Sequence, residues 1–190
     1  MKRVSILKAR KTSVSVFYSP IQNTKKWEYS TILEIYNLIL YNDHVKEKTA
    51  LVRAQSQNKD LKLKLLPSAT FAGVFNERAE LARESVSNFL CIDIDDLGEK
   101  LEWAKKRINA LDEFVLMSFV SPRGKGLKVI LPIDETLYSY KDWYYSISCF
   151  LAEKCGIDFN HFDQKCAHIS RSCLLCHDPE VFINPLLLKK

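Results

Sequence analysis

The sequence predicts a single mixed α/β (α+β) domain with an RRM-like, split-βαβ sheet and an N-terminal helical elaboration. The chain has 190 residues, enough for one domain with its own core. Apolar residues make up 47% of it and charged residues 27%, as in ordinary globular domains. From residue 88 onward, strand-like and helix-like patterns follow the order β-α-β-β-α-β, which is that of a split-βαβ sheet. We assign residues 1–65 to the elaboration and 66–190 to the sheet core.

The N-terminal part predicts one strand and two helices. Residues 14–18 alternate between polar and apolar side chains, as a short strand does. Residues 30–41 carry apolar side chains at helical spacing, with Ser30 or Thr31 as the N-cap. Residues 44–56 predict a second helix. The basic run 59–64 follows, and we interpret it as a solvated face because most charge runs are.

The core elements follow from periodicity and turn residues. A strand, a helix and a hairpin of two strands come first, since the turn-rich segment 121–126 joins two apolar runs. An aromatic-rich helix and two further strands complete the pattern. In order, the predicted elements are residues 89–95, 97–111, 115–120, 127–133, 139–155, 169–175 and 181–183.

Charge and apolar content limit the classes of protein. The net charge of +5 is compatible with a polyanionic partner without requiring one. No stretch approaches the 18 apolar residues of a membrane span, so we expect no membrane partner. Residues 1–5 include Lys2 and Arg3, but no apolar stretch follows as it would in a secretory signal. We therefore expect a cytoplasmic protein.

The six cysteines allow two interpretations. Cys91, Cys149 and Cys155 lie in apolar segments, which favours buried thiols over disulfides in a protein without export. A second group has some of the residue types of a zinc site: Cys166, His168, Cys173, Cys176 and His177. Its central residues predict a strand instead of the tight turn that a zinc knuckle needs, so we favour buried thiols here too.

Asp93 and Asp95 end the predicted strand 89–95. Side chains two residues apart on a strand share a face, and two adjacent carboxylates repel each other unless a cation neutralises them. Mg²⁺ or Mn²⁺ would do so, since both prefer oxygen ligands. The alternative is a solvated acidic turn in which Asp95 or Asp96 caps the following helix. Asp96 is the better candidate for that cap.

Two later segments add positive charge. In the loop 121–126, Gly124 and Gly126 allow backbone N–H groups to turn towards an anion, beside Ser121, Arg123 and Lys125. An ordinary hairpin turn that needs glycine is the alternative. Lys128 interrupts an apolar run, so its side chain points away from Leu127 and Val129. Asp163 and Arg171 form the third motif, as a metal ligand and a phosphate ligand or as a plain ion pair.

Together the three motifs contain the groups that two-metal phosphoryl transfer requires. In their order they resemble the motifs of the archaeo-eukaryotic primase superfamily. Four stretches, 66–75, 92–97, 121–129 and 178–185, are more closely similar to the VirE-like N-terminal domain family, found in replication proteins of mobile elements and phages. The similarity extends over nearly the whole chain.

The resemblance implies a sheet of the primase type and a DNA primase or polymerase activity with Mg²⁺ or Mn²⁺. Asp93, Asp95 and Asp163 would be the catalytic metal ligands, and the basic motifs would bind the nucleotide. The implied nucleotide-binding residues are Ser121, Arg123, Gly124, Lys125, Gly126, Lys128 and Arg171. Lys128 stands where primases usually carry a histidine, and His168 where the closer family suggests an acidic residue.

The implied partners are single-stranded DNA as template or primer, nucleoside triphosphates and a replicative helicase. Two alternatives stay open at the level of the sequence. One is a non-catalytic nucleic-acid-binding module with a primase-like fold, which the lysine at position 128 favours. The other is a metal-dependent nuclease or nicking enzyme, which would not need triphosphate affinity.

Overall fold

The structure is a computed structural model that describes residues 6, 8–25 and 27–189. The first five residues, on which the expectation about a secretory signal rests, lie outside the described residues. The predicted mixed α/β class is confirmed, since helices accompany two four-stranded sheets and a two-stranded one, all with antiparallel pairing. In the described part of the chain, no helix has the length and apolar character needed to cross a membrane.

The first half of the chain supplies strands at both ends of a helical segment. In order these elements are β1 (Ser13–Phe17), β2 (Trp27–Thr31), α1 (Ile32–Tyr41), α2 (Asp43–Ala54), α3 (Leu61–Leu65), β3 (Ser68–Thr70), β4 (Gly73–Phe75) and β5 (Arg83–Val86). The second half supplies β6 (Phe89–Ile94), α4 (Leu101–Asn109), β7 (Met117–Val120), β8 (Leu127–Pro132), α5 (Tyr140–Cys155), β9 (Cys173–Leu174), β10 (Phe182–Ile183) and α6 (Pro185–Leu188).

The two larger sheets combine distant parts of the chain. The first has the order β2-β1-β3-β9, so strands from 1–65 and from 66–190 share one sheet. The second has the order β10-β7-β8-β6. β8 therefore lies between β6 and β7, as in a split βαβ unit, while β10 joins β7 and not β6. Beside β6, Phe162 forms a bridge to Ile94. The primase-type identity of this sheet stays a prediction.

One predicted core strand is wrong in extent and in place. Of residues 169–175 only Cys173–Leu174 form a strand, and this strand pairs with β3 in the first sheet. The N–H of Arg171 donates to the carbonyl of His168, which keeps the preceding residues in a turn. An apolar run fits the edge of either sheet equally well, so its pattern could not identify the partner.

The predicted caps have opposite outcomes. Thr31, one of the two predicted candidates, is the N-cap of α1, and it forms a capping box with Glu34. Asp96 is not a cap, because its φ is 51° and α4 begins only at Leu101 after a 3₁₀ turn, Gly98–Lys100. The N–H of Leu97 donates to the carbonyl of Lys125, which ties this segment to the hairpin loop and delays the helix.

Apolar side chains cover both faces of the second sheet. Leu90, Ile92 and Ile94 belong to a core cluster that includes residues of α4 and α5. Phe89, Cys91 and Phe119 project from the opposite face into a cluster with α1 and the first sheet. Asp93 shares this second face at its acidic end, and so looks towards the first sheet. The fold thus places the acidic strand end between the two sheets.

The cysteine predictions are confirmed for Cys91 and Cys155, which are buried, and wrong for Cys149, which is exposed. Cys149 lies on α5, where an apolar neighbourhood in sequence does not place every side chain inside, since positions on opposite sides of a helix differ in burial.

Candidate metal and phosphate site

Asp93 and Lys128 form the centre of the site. They are register partners on β6 and β8, so antiparallel pairing sets their side chains side by side on one face. The Lys128 ammonium donates to the Asp93 Oδ2, and the two side chains are only 7% and 15% exposed. Lys128 does point away from Leu127 and Val129, as predicted, but into the space between the sheets and not into solvent. The other oxygen of Asp93, Oδ1, is buried without a hydrogen-bond partner among the described residues.

Burial and charge act on the pKa values of this centre. Burial by itself lowers the pKa of Lys128, but the charge of Asp93 opposes it and the net pKa lies well above the ordinary value. The ammonium is therefore charged at neutral pH. The pKa of Asp95 is raised, first by burial and then by the negative charge of Asp93. A cation beside Asp95 would stabilise its charged form.

Asp163 reaches the centre through backbone pairing beside β6. Its N–H donates to the Asp93 carbonyl over 2.9 Å, and the Asp95 N–H donates to the His161 carbonyl over 2.7 Å. The Asp163 Oδ2 accepts from the Arg171 Nη2 at 3.1 Å, so the predicted pair forms an ion pair. The hydroxyl of Tyr144 on α5 donates to the Asp163 carbonyl and so connects this turn to α5.

The described residues offer one group of potential metal ligands, and it differs from the predicted trio. Ligand atoms of Asp93, Asp163 and Cys166 lie within 4.8 Å of one another, whereas Asp95 is not part of the group. Burial, followed by the charge of Asp93, raises the pKa of the Cys166 thiol to about 12. The positive charge of Arg171 partly opposes this rise in the pKa of Cys166. A thiolate ligand favours softer ions such as Zn²⁺, whereas the two carboxylates suit Mg²⁺ and Mn²⁺.

The glycines of the hairpin loop shape the turn. The Gly124 N–H donates to the Ser121 carbonyl and the Gly126 N–H to the Ser121 hydroxyl, so neither is available in this structure for an anion. Gly124 has φ 73°, in the left-handed region. A Cβ on Gly126 would lie 2.1 Å from the Ile94 carbonyl oxygen, so only glycine lets this loop approach the acidic strand end.

A cavity of about 500 Å³ opens between the two sheets above this centre. It collects six of the ten predicted site residues: Asp93, Asp95, Ser121, Arg123, Lys128 and Arg171. The lining does not include Asp163, Gly124, Lys125 or Gly126. Two aspartates thus face six lysines and arginines, the latter being Lys62, Arg78, Arg123, Lys128, Lys165 and Arg171. The positive excess suits a ligand with several negative charges.

Lys62 on α3 and Arg78 between β4 and β5 also line this cavity. Lys62 corrects the view of 59–64 as wholly solvated, although Lys59 and Lys64 are exposed. Arg78 lies over the Phe17 ring at 5.7 Å and donates through Nη2 to the Ile21 carbonyl. Its Nη1 is buried without a partner among the described residues. The basic run signalled Lys62, whereas no local pattern marked Arg78.

The second cysteine group is not gathered around one point. Cys166, Cys173 and Cys176 are buried, as predicted. The His177 Nδ1 is paired with the Ile39 carbonyl, and the Cys176 thiol donates to the Val120 carbonyl. These contacts give the side chains separate structural roles.

The stretch 178–185 also has a structural role. The Asp178 carboxylate accepts from the Val120 and Glu180 N–H groups. The Asn184 side-chain amide donates to the Val115 carbonyl at 2.9 Å and also to that of Asp112, and its Oδ1 caps α6. Both side chains are buried. They fasten the last strand to β7, away from the cavity.

Comparison with known proteins places the chain in a family. The sequence model of the family described as "BT4734-like, N-terminal domain" matches residues 60–182, a span that contains Lys62, both acidic motifs and the hairpin loop. No curated protein and no solved structure matches the chain. Since the family match covers more than half of the sequence, the chain belongs to the BT4734-like N-terminal domain family.

Proposed function

We propose that this chain is a primase- or polymerase-like nucleotidyltransferase that adds nucleotides on a DNA template with the help of divalent metal ions. The replication of a mobile element, plasmid or phage is the setting that its motifs suggest. The observation that carries the proposal is the cavity, where Asp93 and Asp95 face six basic side chains in a volume of about 500 Å³. Pockets of this size accept small ligands such as a nucleotide.

Each group of residues has a distinct task in this proposal. Lys128, Arg171 and Lys165 line the wall around the carboxylates and would hold the phosphate oxygens of a triphosphate. Arg123 extends this cationic wall from the hairpin loop. Lys62 and Arg78, which come from the first half of the chain, also line the cavity and would contact the template strand.

Asp93 and Asp163 would hold the metal, with Asp95 and Cys166 beside them. The Oδ1 of Asp93, without a hydrogen-bond partner among the described residues, and the raised pKa of Asp95 both favour a cation beside these carboxylates. When bound, Mg²⁺ or Mn²⁺ would activate the attacking hydroxyl and neutralise charge on the phosphates. The carboxylate oxygens of Asp93 and Asp163 suit either ion.

Incorporation of labelled nucleotides on single-stranded DNA tests this proposal. Reactions with and without a primer, in Mg²⁺ or Mn²⁺, separate priming from extension. Asp93→Asn and Asp95→Asn should each lower the rate at least about a hundredfold, because outer contacts to a metal site alone are worth 10–100-fold. Asp43→Asn is a matched control, since Asp43 is exposed on α2. Synthesis that survives both site variants would contradict the mechanism.

A second candidate is a non-catalytic module that binds nucleic acid through the same basic cavity. The Lys128–Asp93 ion pair favours it, because a lysine already neutralises the carboxylate that a metal would use. This module would bind single-stranded DNA equally well with and without divalent cations. It would incorporate no nucleotides with either Mg²⁺ or Mn²⁺. DNA binding with EDTA present, measured beside the incorporation assay, distinguishes the two candidates.

A further inference from the structure

The Lys128 ammonium and a divalent cation compete for the same carboxylate. The Lys128 ammonium donates to the Asp93 Oδ2, and the Asp93 Oδ1 has no hydrogen-bond partner in the described part of the chain. Both side chains are almost fully buried, so water screens the attraction between them only weakly. A dication between Asp93 and Asp163 would lie beside this ammonium. Two cations at one buried carboxylate repel each other, unless one of them gains another anion.

Among the described residues that line the larger cavity with Lys128, the carboxylates are those of Asp93 and Asp95, and both belong to the acidic end of β6, where the dication would bind. The register partner of Lys128 on β7 is Phe119, and its closest neighbours in the small cavity behind Asp93 are Cys91, Cys166 and Cys173. Lys62 and Arg171, on the walls of the larger cavity, add further positive charge near the ammonium. Within the described residues, a ligand phosphate entering the cavity is therefore the natural new partner for the ammonium.

We propose that Lys128 keeps Asp93 from binding a divalent cation until a phosphate-bearing ligand draws the lysine away, so that cation and phosphate bind together. The inference rests on the proposed function, and it adds the order in which the site is filled. Free metal binds weakly, and the phosphate ligand strengthens metal binding. By linkage, the metal strengthens phosphate binding by the same factor. Lys128 is thus a positioning residue that couples the two ligands.

Mn²⁺ binding, followed by electron paramagnetic resonance of the free ion, tests the coupling without any catalysis. Wild type and Lys128→Gln are titrated with MnCl₂ alone and again with inorganic phosphate, with protein-free samples correcting for manganese phosphate complexes. Lys128→Gln should bind Mn²⁺ alone at least about tenfold more tightly than wild type, because buried charge pairs are worth a tenfold change or more. Phosphate should tighten Mn²⁺ binding in wild type only.

Lys105→Gln is the matched control. Lys105 on α4 is as buried as Lys128, at 7% side-chain exposure, and pairs with the exposed Glu180. It reports the general effect of removing a buried lysine, and it should leave Mn²⁺ affinity unchanged. A circular dichroism melt of each variant confirms folding, and Lys128→Met replaces Lys128→Gln if the latter unfolds.

The outcomes separate this inference from the proposed function. Tight Mn²⁺ binding by wild type without phosphate, with Lys128→Gln no tighter, overturns the coupling and leaves a metal-dependent enzyme in place. Absence of Mn²⁺ binding in wild type and variant, with and without phosphate, overturns both. The inference predicts that wild type binds Mn²⁺ weakly without phosphate and more tightly with it. It also predicts that Lys128→Gln binds Mn²⁺ tightly even without phosphate.

Discussion

At the scale of one residue, Lys62 shows that positive charge in the cavity lowers the stability of the folded protein. Its pKa is lowered, first by burial and then by the positive charges of Lys128 and Arg123. Asp93 and Asp95 only partly offset these effects. The folded chain therefore holds the charged lysine in a less favourable place than water. An anion that binds in the cavity would relieve this repulsion between cations. Lower stability of the ligand-free protein is common at binding sites.

Replacement of Lys62 should therefore stabilise the ligand-free protein in a pH-dependent way. A lowered pKa means that the unfolded chain binds the proton more tightly, so the stability of wild type rises with pH between the folded pKa and 10.5. Lys62→Gln should raise the melting temperature at pH 7, and the gain should vanish above about pH 10.5. Thermal melts from pH 7 to 11 measure this. A gain that stays constant with pH would contradict it.

Thiol reactivity tests the burial of single cysteines. Of the six cysteines, only Cys149 is exposed, while burial raises the pKa values of Cys166 and Cys176 to about 12. Because the thiolate is the reactive form, one thiol per chain should react rapidly with Ellman's reagent and the other five only after unfolding. Cys149→Ser should remove the rapid phase. A rapid phase that persists in this variant would mean that a thiol near the site is accessible.

At the scale of elements, the contact between the hairpin loop and the end of β6 sets the geometry of the site. A Cβ on Gly126 would meet the backbone of Ile94 and Asp95, which cannot move without shifting the carboxylates. Gly126→Ala should cost about 2–4 kcal/mol of unfolding free energy, as severe overpacking does. The control is Gly98→Ala, where a Cβ has nothing within 4 Å and only the positive φ costs about 1–2 kcal/mol. Urea unfolding of both variants measures the difference, and equal losses would contradict this account.

Elements with strong local signals could be predicted from the sequence. The apolar spacing of residues 30–41 and the cap at Thr31 gave the helix Ile32–Tyr41, and the glycine-rich turn gave the β7–β8 hairpin. The strand predicted at 169–175 failed because its two pairing residues depend on β3, which is a hundred residues earlier. The late start of α4 has a similar cause, since a tertiary hydrogen bond from Leu97 to the loop competes with the helix.

Some features of the site could be predicted from the motifs, whereas others depend on the fold. Alternation along β6 predicted that Asp93 and Asp95 lie together, and the interrupted apolar run marked Lys128. The ion pair of Lys128 with Asp93 depends on strand register, which no local pattern specifies. Cys166 enters the ligand group only because a bridge at Phe162 brings its segment beside β6.

At the scale of the molecule, a net charge of +5 is modest, but the cavity concentrates positive charge on its walls. Lys62 and Lys64 on α3 allow a test of whether DNA binds in the cavity or to the overall positive charge. Lys62 lines the cavity, while Lys64 is exposed. Lys62→Gln should weaken binding of single-stranded DNA and reduce the salt slope by about 0.7, the value of one phosphate contact. Lys64→Gln should change little. Fluorescence anisotropy at several salt concentrations measures both, and equal effects would mean that the surface as a whole attracts DNA.

The central claim is that one cavity binds a divalent cation at Asp93 and Asp163 together with phosphate at Lys128 and Arg171. Anomalous diffraction from crystals grown with Mn²⁺ and a non-hydrolysable deoxynucleoside triphosphate tests it most directly. The account predicts a manganese peak at the two carboxylates, with the Lys128 ammonium moved from Asp93 to a phosphate oxygen. A Lys128–Asp93 ion pair that persists in those crystals, with manganese and nucleotide elsewhere or absent, would contradict it.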